Sequence, residues 1–306
     1  MTRNTVLNWP QRLHWEDYYR PSSLPEALKL LREFNGEAKI IAGGTDVLVQ
    51  IRRRQASPRV IVDITRIFGL DQIWKDQGII RLGALVTHSQ AAESPLVREN
   101  ATALSEGASH VGSPQIRNLG TITGNLVSGQ PGADTAIPLL ALGAAVKLAT
   151  TEGERTIALK DFFVDVGKTA LDGSRGLITE ILVPALKPNE TSVYLRLASR
   201  RALALPILAV CVVLSADLKE KRFRHASVTL GPVARTPLKA VGAEEILKDA
   251  PIEERVILDA ARKAGQASDP RDSLLRGCSD YRRAMAENLV ERGIRECLRR
   301  LEGIHG

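Results

Sequence analysis

Residues 38–54 read AKIIAGGTDVLVQIRRR. A short apolar strand runs directly into Gly43 and Gly44, and a helix opens after Thr45 and Asp46. Paired glycines let the backbone turn sharply and admit a ligand to close range. The amides that follow, with the helix start, form a nest suited to phosphate. Thr45 adds a hydroxyl donor. Asp46 carries the wrong charge for phosphate, so it either caps the helix or binds a sugar hydroxyl or base edge. The spacing is neither G-x-G-x-x-G nor G-x-x-x-x-G-K-[ST], which removes the Rossmann and Walker fingerprints. Taken alone, the segment serves equally well as a structural turn. Arg52, Arg53 and Arg54 fall in the last turn of the helix, where cations suit its dipole.

The chain around this stretch alternates strands and helices. Residues 1–20 form an arm with Trp9, Trp15, Tyr18 and Tyr19, followed by a helix with Ser23 and Glu26 as a capping box. Asn35-Gly36 stops that helix. PRVIVDIT and Gly78 to Ala84 read as strands, Thr87 starts a helix, and residues 95–110 read as one helix. Pro138 to Gly143 is apolar and helical, and a hairpin turns at Glu152-Gly153. After the strand LITEILVPA, Pro184 and Pro188 mark a boundary. From about residue 190 come SVYLRLASR, the buried run ALPILAVCVVLSADL and RHASVTLGPV, then helices near 241–248, 251–265 and Ser279–Leu301. The strands and helices are not evenly spaced βαβ units. The class is α+β in layers.

A second polar stretch lies at the centre of the chain. Ser113 to Asn125 reads SPQIRNLGTITGN and leads on to Ser128-Gly129-Gln130-Pro131-Gly132-Ala133-Asp134. Small residues alternate with amides, hydroxyls and a carboxylate, which suits a long polar ligand laid across backbone. A long loop satisfied by its own hydrogen bonds is the alternative.

The chain has 306 residues, room for about two domains. Lys and Arg total 42 against 35 Asp and Glu, a formal charge of +7. The basic residues are scattered and aromatics are only 4%, which argues against a nucleic-acid stripe with stacking rings. Cys211, Cys278 and Cys297 are odd in number and far apart, so no disulfide framework is expected. The N-terminus has no apolar core of a secretory signal. The longest apolar run, Ala202 to Leu214, falls short of the about 20 residues that span a bilayer. A cytoplasmic protein with reduced thiols is expected. His14, His88, His110, His225 and His305 are scattered, and no metal site is expected. Each reads first as structural or exposed; the alternative for His88, which follows Thr87 at a helix start, is an approach to the ligand region.

At this point the sequence resembles the FAD-binding, or medium, subunits of the molybdenum hydroxylases. The family motif AGGTDL is matched by Ala42 to Val47, with valine for leucine. SPQIRNxGTIGGN is matched by Ser113 to Asn125, with Thr123 in place of the first glycine of GG. A proline–alanine–aspartate segment corresponds to Pro131 to Asp134, PxLLALxA to Pro138 to Ala144, and RGSADYRR to Arg276 to Arg283, with Cys278 for serine. Where the family often has a lysine and an aspartate, in YxK and RRAxD, this chain has Arg196 after Tyr194, and Ala204.

The resemblance implies a PCMH-type FAD-binding fold of two α/β subdomains plus a C-terminal α+β domain. Its expected layout is an arm at 1–20, an FAD domain at 21–189 split near residue 80, and a C-terminal domain at 190–306. It implies that Ala42, Gly43, Gly44, Thr45 and Asp46, with Thr121, Thr123, Gly124 and Asn125, wrap the FAD pyrophosphate. Asp134 is implied to touch the ribityl or adenosine portion, and Cys278 to lie near the flavin or, more simply, in buried packing. Thr123 must keep a negative φ, or the turn differs. No side chain is implied as a nucleophile, because the chemistry belongs to FAD. The implied partners are a large molybdenum-pterin subunit and a small subunit with two [2Fe–2S] clusters, in a dimer of heterotrimers. Electrons would pass from the clusters through FAD to NAD⁺, a quinone or another acceptor. The rival readings are a stand-alone FAD-dependent oxidoreductase and a basic non-enzymatic binding protein.

Overall fold

A computed structural model describes residues 15–200 and 203–305. Residues 1–14 of the arm, with Trp9 and His14, and Ala202 of the apolar run lie outside the described residues. The described end of the arm is a strand, β1 (Asp17–Tyr19), followed by α1 (Leu24–Phe34), β2 (Ala38–Ile41), α2 (Val47–Arg52) and β3 (Val60–Asp63). These three strands form a parallel sheet in the order β1-β3-β2. Strand β3 is buried along its whole length, as a central parallel strand should be. Ala27 and Leu31 of α1 cover it.

Ser23 caps α1 by accepting from the Glu26 amide, but the Glu26 carboxylate takes the Ser22 amide instead of that of Ser23. The expected capping box is therefore not reciprocal. Helix α2 is shorter than expected: Arg53 is its C-cap and Arg54 lies beyond it at a positive φ.

The second unit begins earlier than residue 81. Strand β4 (Ile73–Asp76) pairs with β5 (Ile79–Gly83), and both belong to the next sheet, so the chain changes sheets between 67 and 72. The hairpin at Gln77-Gly78 ties 73–83 together. Five short helices follow: α3 (His88–Glu93), α4 (Pro95–Asn100), α5 (Thr102–Ser109), α6 (Pro114–Leu119) and α7 (Ile122–Val127). The single helix expected at 95–110 is broken at Ala101, because the Leu186 amide takes the Asn100 carbonyl and Ala101 leaves the helical conformation at φ −153, ψ 52. The polar centre of the chain is likewise two helices, not a loop. Ser113 and Thr121 cap them, and Pro114 starts the first.

Next come α8 (Ala136–Ala141), β6 (Ala145–Thr150), β7 (Gly153–Ala158), α9 (Leu159–Phe162), β8 (Phe163–Asp165), β9 (Lys168–Thr169) and β10 (Gly176–Pro184). The main sheet has the order β4-β5-β10-β6-β7, antiparallel throughout. Leu82, Val146 and Ile181 pack in one core with Leu104, Ile122 and Leu139 of the helices.

The last unit holds β11 (Glu190–Leu197), β12 (Leu208–Asp217), β13 (Arg222–Gly231) and β14 (Leu238–Lys239), then α10 (Val241–Leu247), α11 (Glu254–Ala267) and α12 (Ser279–His305). Its four strands are antiparallel in chain order. Strand β12 is buried on both faces, which explains its unbroken apolar sequence. Ala209, Cys211 and Val213 join the core of the five-stranded unit, while Val210, Val212 and Leu214 join the core under the C-terminal helices. The sheet is therefore fixed against the preceding unit. No helix among the described residues is long and apolar enough to cross a membrane.

Candidate functional site

A cleft of about 430 Å³ opens between the parallel sheet and the five-stranded unit. Its walls include Ala42, Gly43, Gly44, Thr45 and Asp46 from the turn after β2, and Thr121, Thr123, Gly124 and Asn125 from the start of α7. The two stretches, some 80 residues apart in sequence, thus face one cavity. His88 and Ser128 line it too, as do Leu171, Gly173 and Ser174 from the segment before β10.

The turn after β2 is held by contact as much as by conformation. Gly44 sits at φ +71, and the Gly43 Cα faces backbone: a Cβ there would stand 1.9 Å from the Leu119 carbonyl oxygen. Only glycine lets the first turn lie directly on the α6–α7 junction. Among the described residues, the amides of Gly43, Gly44, Thr45 and Asp46 donate to no protein acceptor. Asp46 makes no capping hydrogen bond, so its carboxylate remains available to the cleft.

At the opposite wall, some amides are already used. The Thr121 hydroxyl accepts from the Gly124 amide at 3.0 Å, and the Val86 carbonyl takes the Ile122 amide. The amides of Thr121 and Thr123 are left without a protein acceptor among the described residues. Asn125 is engaged as well, its Oδ1 accepting from the Thr135 hydroxyl at 2.6 Å. Thr123 lies inside α7 with no positive φ, so the threonine is accommodated by helix. It is 9% exposed, and its Oγ1 has no partner.

His88 is the residue that the sequence only hinted at. Thr87 and Gln90 form a reciprocal capping box that fixes the start of α3, and the His88 amide donates to the Gly120 carbonyl. The ring is 2% exposed, with Nδ1 unpartnered. Burial, reinforced by the Arg117 charge, pushes its pKa down to about 4 from 6.5. The wall therefore presents a neutral imidazole at neutral pH. An unfolded chain takes up this proton first on acidification, so the folded state loses stability as pH falls from about 6.5 to about 4. The loss amounts to about 3 kcal/mol. His88→Gln is expected to flatten most of this slope, read from urea unfolding at pH 7 and pH 4.5; an unchanged slope would place the acid sensitivity elsewhere.

Two sets of free amides on one cavity, with unpartnered Thr123 Oγ1 and His88 Nδ1 buried within residues of its wall, are a poor arrangement for a closed core. They suit an elongated ligand that accepts hydrogen bonds. Lys39 and Asp46 are the charged side chains on the wall, so an anion there is held mainly by neutral N–H and O–H donors. FAD, with its pyrophosphate and ribose hydroxyls, fits this donor set.

Asp134 is not on this wall. Its buried carboxylate accepts from the Tyr194 hydroxyl at 2.7 Å and from Arg196 Nε at 2.9 Å. Burial pushes its pKa up, against the pull of those two donors. Arg196 also donates to the Ala204 carbonyl. Cys278 is exposed, against the expectation of buried packing, because it sits on a surface loop. Among the described residues no cluster of three or more His, Cys, Asp or Glu could hold a metal ion.

Fold and cleft together define a PCMH-type FAD-binding protein with an appended α+β domain. Residues 12–186 match the family model of the FAD-binding domain in molybdopterin dehydrogenase, and residues 193–297 that of the CO dehydrogenase flavoprotein C-terminal domain. The 6-hydroxypseudooxynicotine dehydrogenase complex subunit alpha of Paenarthrobacter nicotinovorans is 34% identical over 93% of this chain and 95% of its own. The nicotinate dehydrogenase FAD-subunit of Eubacterium barkeri is 35% identical over 77% of this chain and 80% of its own. The solved carbon monoxide dehydrogenase from Hydrogenophaga pseudoflava has a chain that superposes with a TM-score of 0.89 at 30% identity, covering 95% of this chain and 99% of that one. The chain belongs to the FAD-binding medium subunits of the molybdenum hydroxylase family, of the CO dehydrogenase and xanthine dehydrogenase type. It is an FAD-binding electron-transfer subunit.

Proposed function

We propose that this chain binds FAD in the cleft between its first two units and relays electrons within a molybdenum hydroxylase complex. The observation that carries the reading is the convergence of two sets of free amides on one cavity, whose lining residues Thr123 and His88 each bury an unpartnered polar atom. The amides of Gly43, Gly44, Thr45, Thr121 and Thr123 would hold the pyrophosphate, with the Thr45 hydroxyl beside them. The Asp46 carboxylate would accept from a ribose hydroxyl. Neutral His88 closes the wall without adding charge. Bound FAD supplies the redox chemistry, linking one-electron iron–sulfur clusters to an acceptor such as NAD⁺ or a quinone.

The partners under this reading are a large molybdenum-pterin subunit, where substrate is oxidised, and a small subunit with two [2Fe–2S] clusters. The assembly is a dimer of heterotrimers in the cytoplasm. Residues 21–189 form the FAD domain and 190–306 the C-terminal domain. The test uses the purified complex stripped of FAD. Substrate should still bleach the cluster absorbance while transfer to the acceptor stops, and added FAD should restore it. Loss of cluster bleaching on FAD removal would overturn the relay order.

Thr123 offers a separate check. Thr123→Val keeps the shape and removes the unpartnered hydroxyl. The FAD-free protein should gain about 1 kcal/mol in urea unfolding. FAD affinity, read by quenching of flavin fluorescence, should fall severalfold because the hydroxyl finds its partner on the ligand. Unchanged affinity would assign the hydroxyl no part in binding.

A further inference from the structure

The first unit, residues 15–66, joins the rest of the described chain through one connector, residues 67–72. Both ends of that connector are fixed. The Ile67 amide donates to the Ile64 carbonyl of the first unit, and the Leu70 carbonyl accepts from the Leu85 amide of the second at 2.7 Å. Between them stand Phe68 and Gly69. Phe68 is 92% exposed, and Gly69 sits at φ +84 with no atom within 4 Å of where its Cβ would stand. A residue pair so free of packing, with glycine at a positive φ, is where a connector absorbs rotation.

Two cavities separate the units. One is the FAD cleft. The other is a groove of about 450 Å³, with Ser22, Ser23 and Leu24 on the first-unit bank and Trp74, Thr179 and Glu180 on the second-unit bank. Strand β10 stands between them: Leu177 and Ile178 line the cleft, and Thr179 and Glu180 line the groove. Leu177 packs there in one apolar cluster with Ile64 and Ile67, which makes a fulcrum. Away from it the units touch lightly. Gly36 and Gly43 bracket β2 and meet the second unit at the two ends of the cleft. Gly43 lies on the Leu119 carbonyl, and a Gly36 Cβ would stand 3.9 Å from the Ser174 Cβ. Among the described residues a single hydrogen bond joins 15–66 to the chain beyond 72, from exposed Arg32 to the Thr151 carbonyl at 3.3 Å. A ligand laid along the amides of both walls is enclosed by contacts that must part to admit it.

We infer that the first unit rocks on a Phe68–Gly69 hinge to admit FAD, the cleft widening as the groove behind it narrows, and that bound FAD holds the unit closed. The inference rests on the FAD reading of the cleft. The groove supplies the room for the motion, and the fulcrum keeps its apolar contacts buried in both positions. FAD shifts the balance because only the closed state offers it both sets of amides.

A disulfide across the cleft tests it. Gly36→Cys with Ser174→Cys puts two Cβ atoms 3.9 Å apart, inside the span of about 3.5–4.5 Å that a disulfide needs. Cys278→Ser removes the exposed native thiol, and Cys211 and Cys297 are buried. Oxidised after FAD loading, the full chain should release FAD at least about tenfold more slowly than when reduced with dithiothreitol. Oxidised after stripping, it should take FAD up more slowly by a similar factor. Both forms share the strain of a cysteine at φ +95, so the ratio reports the staple alone. Quenching of flavin fluorescence gives the rates, and thiol titration gives the extent of closure. Equal rates in a fully oxidised chain would remove the hinge and leave the FAD cleft standing. A second measurement spares the cleft: spin labels on Lys29→Cys of α1 and Lys160→Cys of α9, both exposed, in the Cys278→Ser chain. Their separation should change by several ångströms when FAD is added. An unchanged separation sinks the hinge whether or not the disulfide variant folds. A wild-type chain that holds no FAD, alone or in its complex, sinks both readings.

Discussion

Gly43→Ala should be purified without FAD, its flavin content below about a tenth of wild type. The added Cβ would stand 1.9 Å from the Leu119 carbonyl oxygen and 2.6 Å from its carbon. Neither atom is the end of a flexible side chain, so the turn after β2 and the α6–α7 junction must separate by more than an ångström. That moves the free amides of one wall relative to the other. Overpacking of this kind also destabilises by about 1–3 kcal/mol. Gly44→Ala is the graded comparison. Its backbone strain at φ +71 is about 1 kcal/mol, and the neighbour it meets is the Ile41 side chain, which can move. FAD retention should therefore rank wild type, then Gly44→Ala, then Gly43→Ala. The comparison is made by flavin absorbance per chain after desalting, with circular dichroism to check folding. Wild-type flavin content in Gly43→Ala would mean that contact between the walls does not set the site.

That pair of glycines also shows how far sequence reading reaches. The strand, the sharp turn and the helix at 38–52 are local, and they are legible in the apolar run, the glycines and the polar start. The reason for Gly43 is not local, because the carbonyl it meets belongs to residue 119. The same division holds elsewhere. The hairpin expected around Glu152-Gly153, which turns at Thr151-Glu152, the cap at Ser23 and the stop at Asn35 depend on near neighbours and are readable. The break at Ala101 depends on Leu186, just past the end of β10, and membership of 73–83 in the second sheet depends on pairing with residues 180–184. The short α6 and α7 were concealed by composition, since glycine-rich polar sequence reads as loop while their Ser and Thr caps are easily taken for ligand groups. His88 had a local signal in the Thr87–Gln90 box, but its burial follows only from the approach of Gly120.

Asp134→Ala is expected to be the most destabilising single change at the seam between the FAD-type unit and the C-terminal sheet. The carboxylate holds the Tyr194 hydroxyl and Arg196 Nε from a strand some sixty residues away, and the Arg196 side chain is only 5% exposed. Removing it leaves a buried guanidinium charge without its counterion and a buried hydroxyl without its acceptor. Breaking one side of such a pair costs about 3–5 kcal/mol. Asp134→Asn keeps an acceptor for one donor and should lose about half as much. The Glu106 carboxylate, which takes the Tyr194 amide and Arg300, fastens the same seam nearby, so the C-terminal sheet should loosen locally before the molecule unfolds. Urea unfolding and hydrogen exchange of β11 give the measurement. The resemblance implied a ligand role for Asp134, and the two roles separate cleanly. A clamp lowers stability in the FAD-free and FAD-bound protein alike. A ligand group lowers FAD affinity and leaves the FAD-free protein as stable as before. The second pattern would move Asp134 from the seam to the flavin, and the cleft would have to extend past Ser128 to reach it.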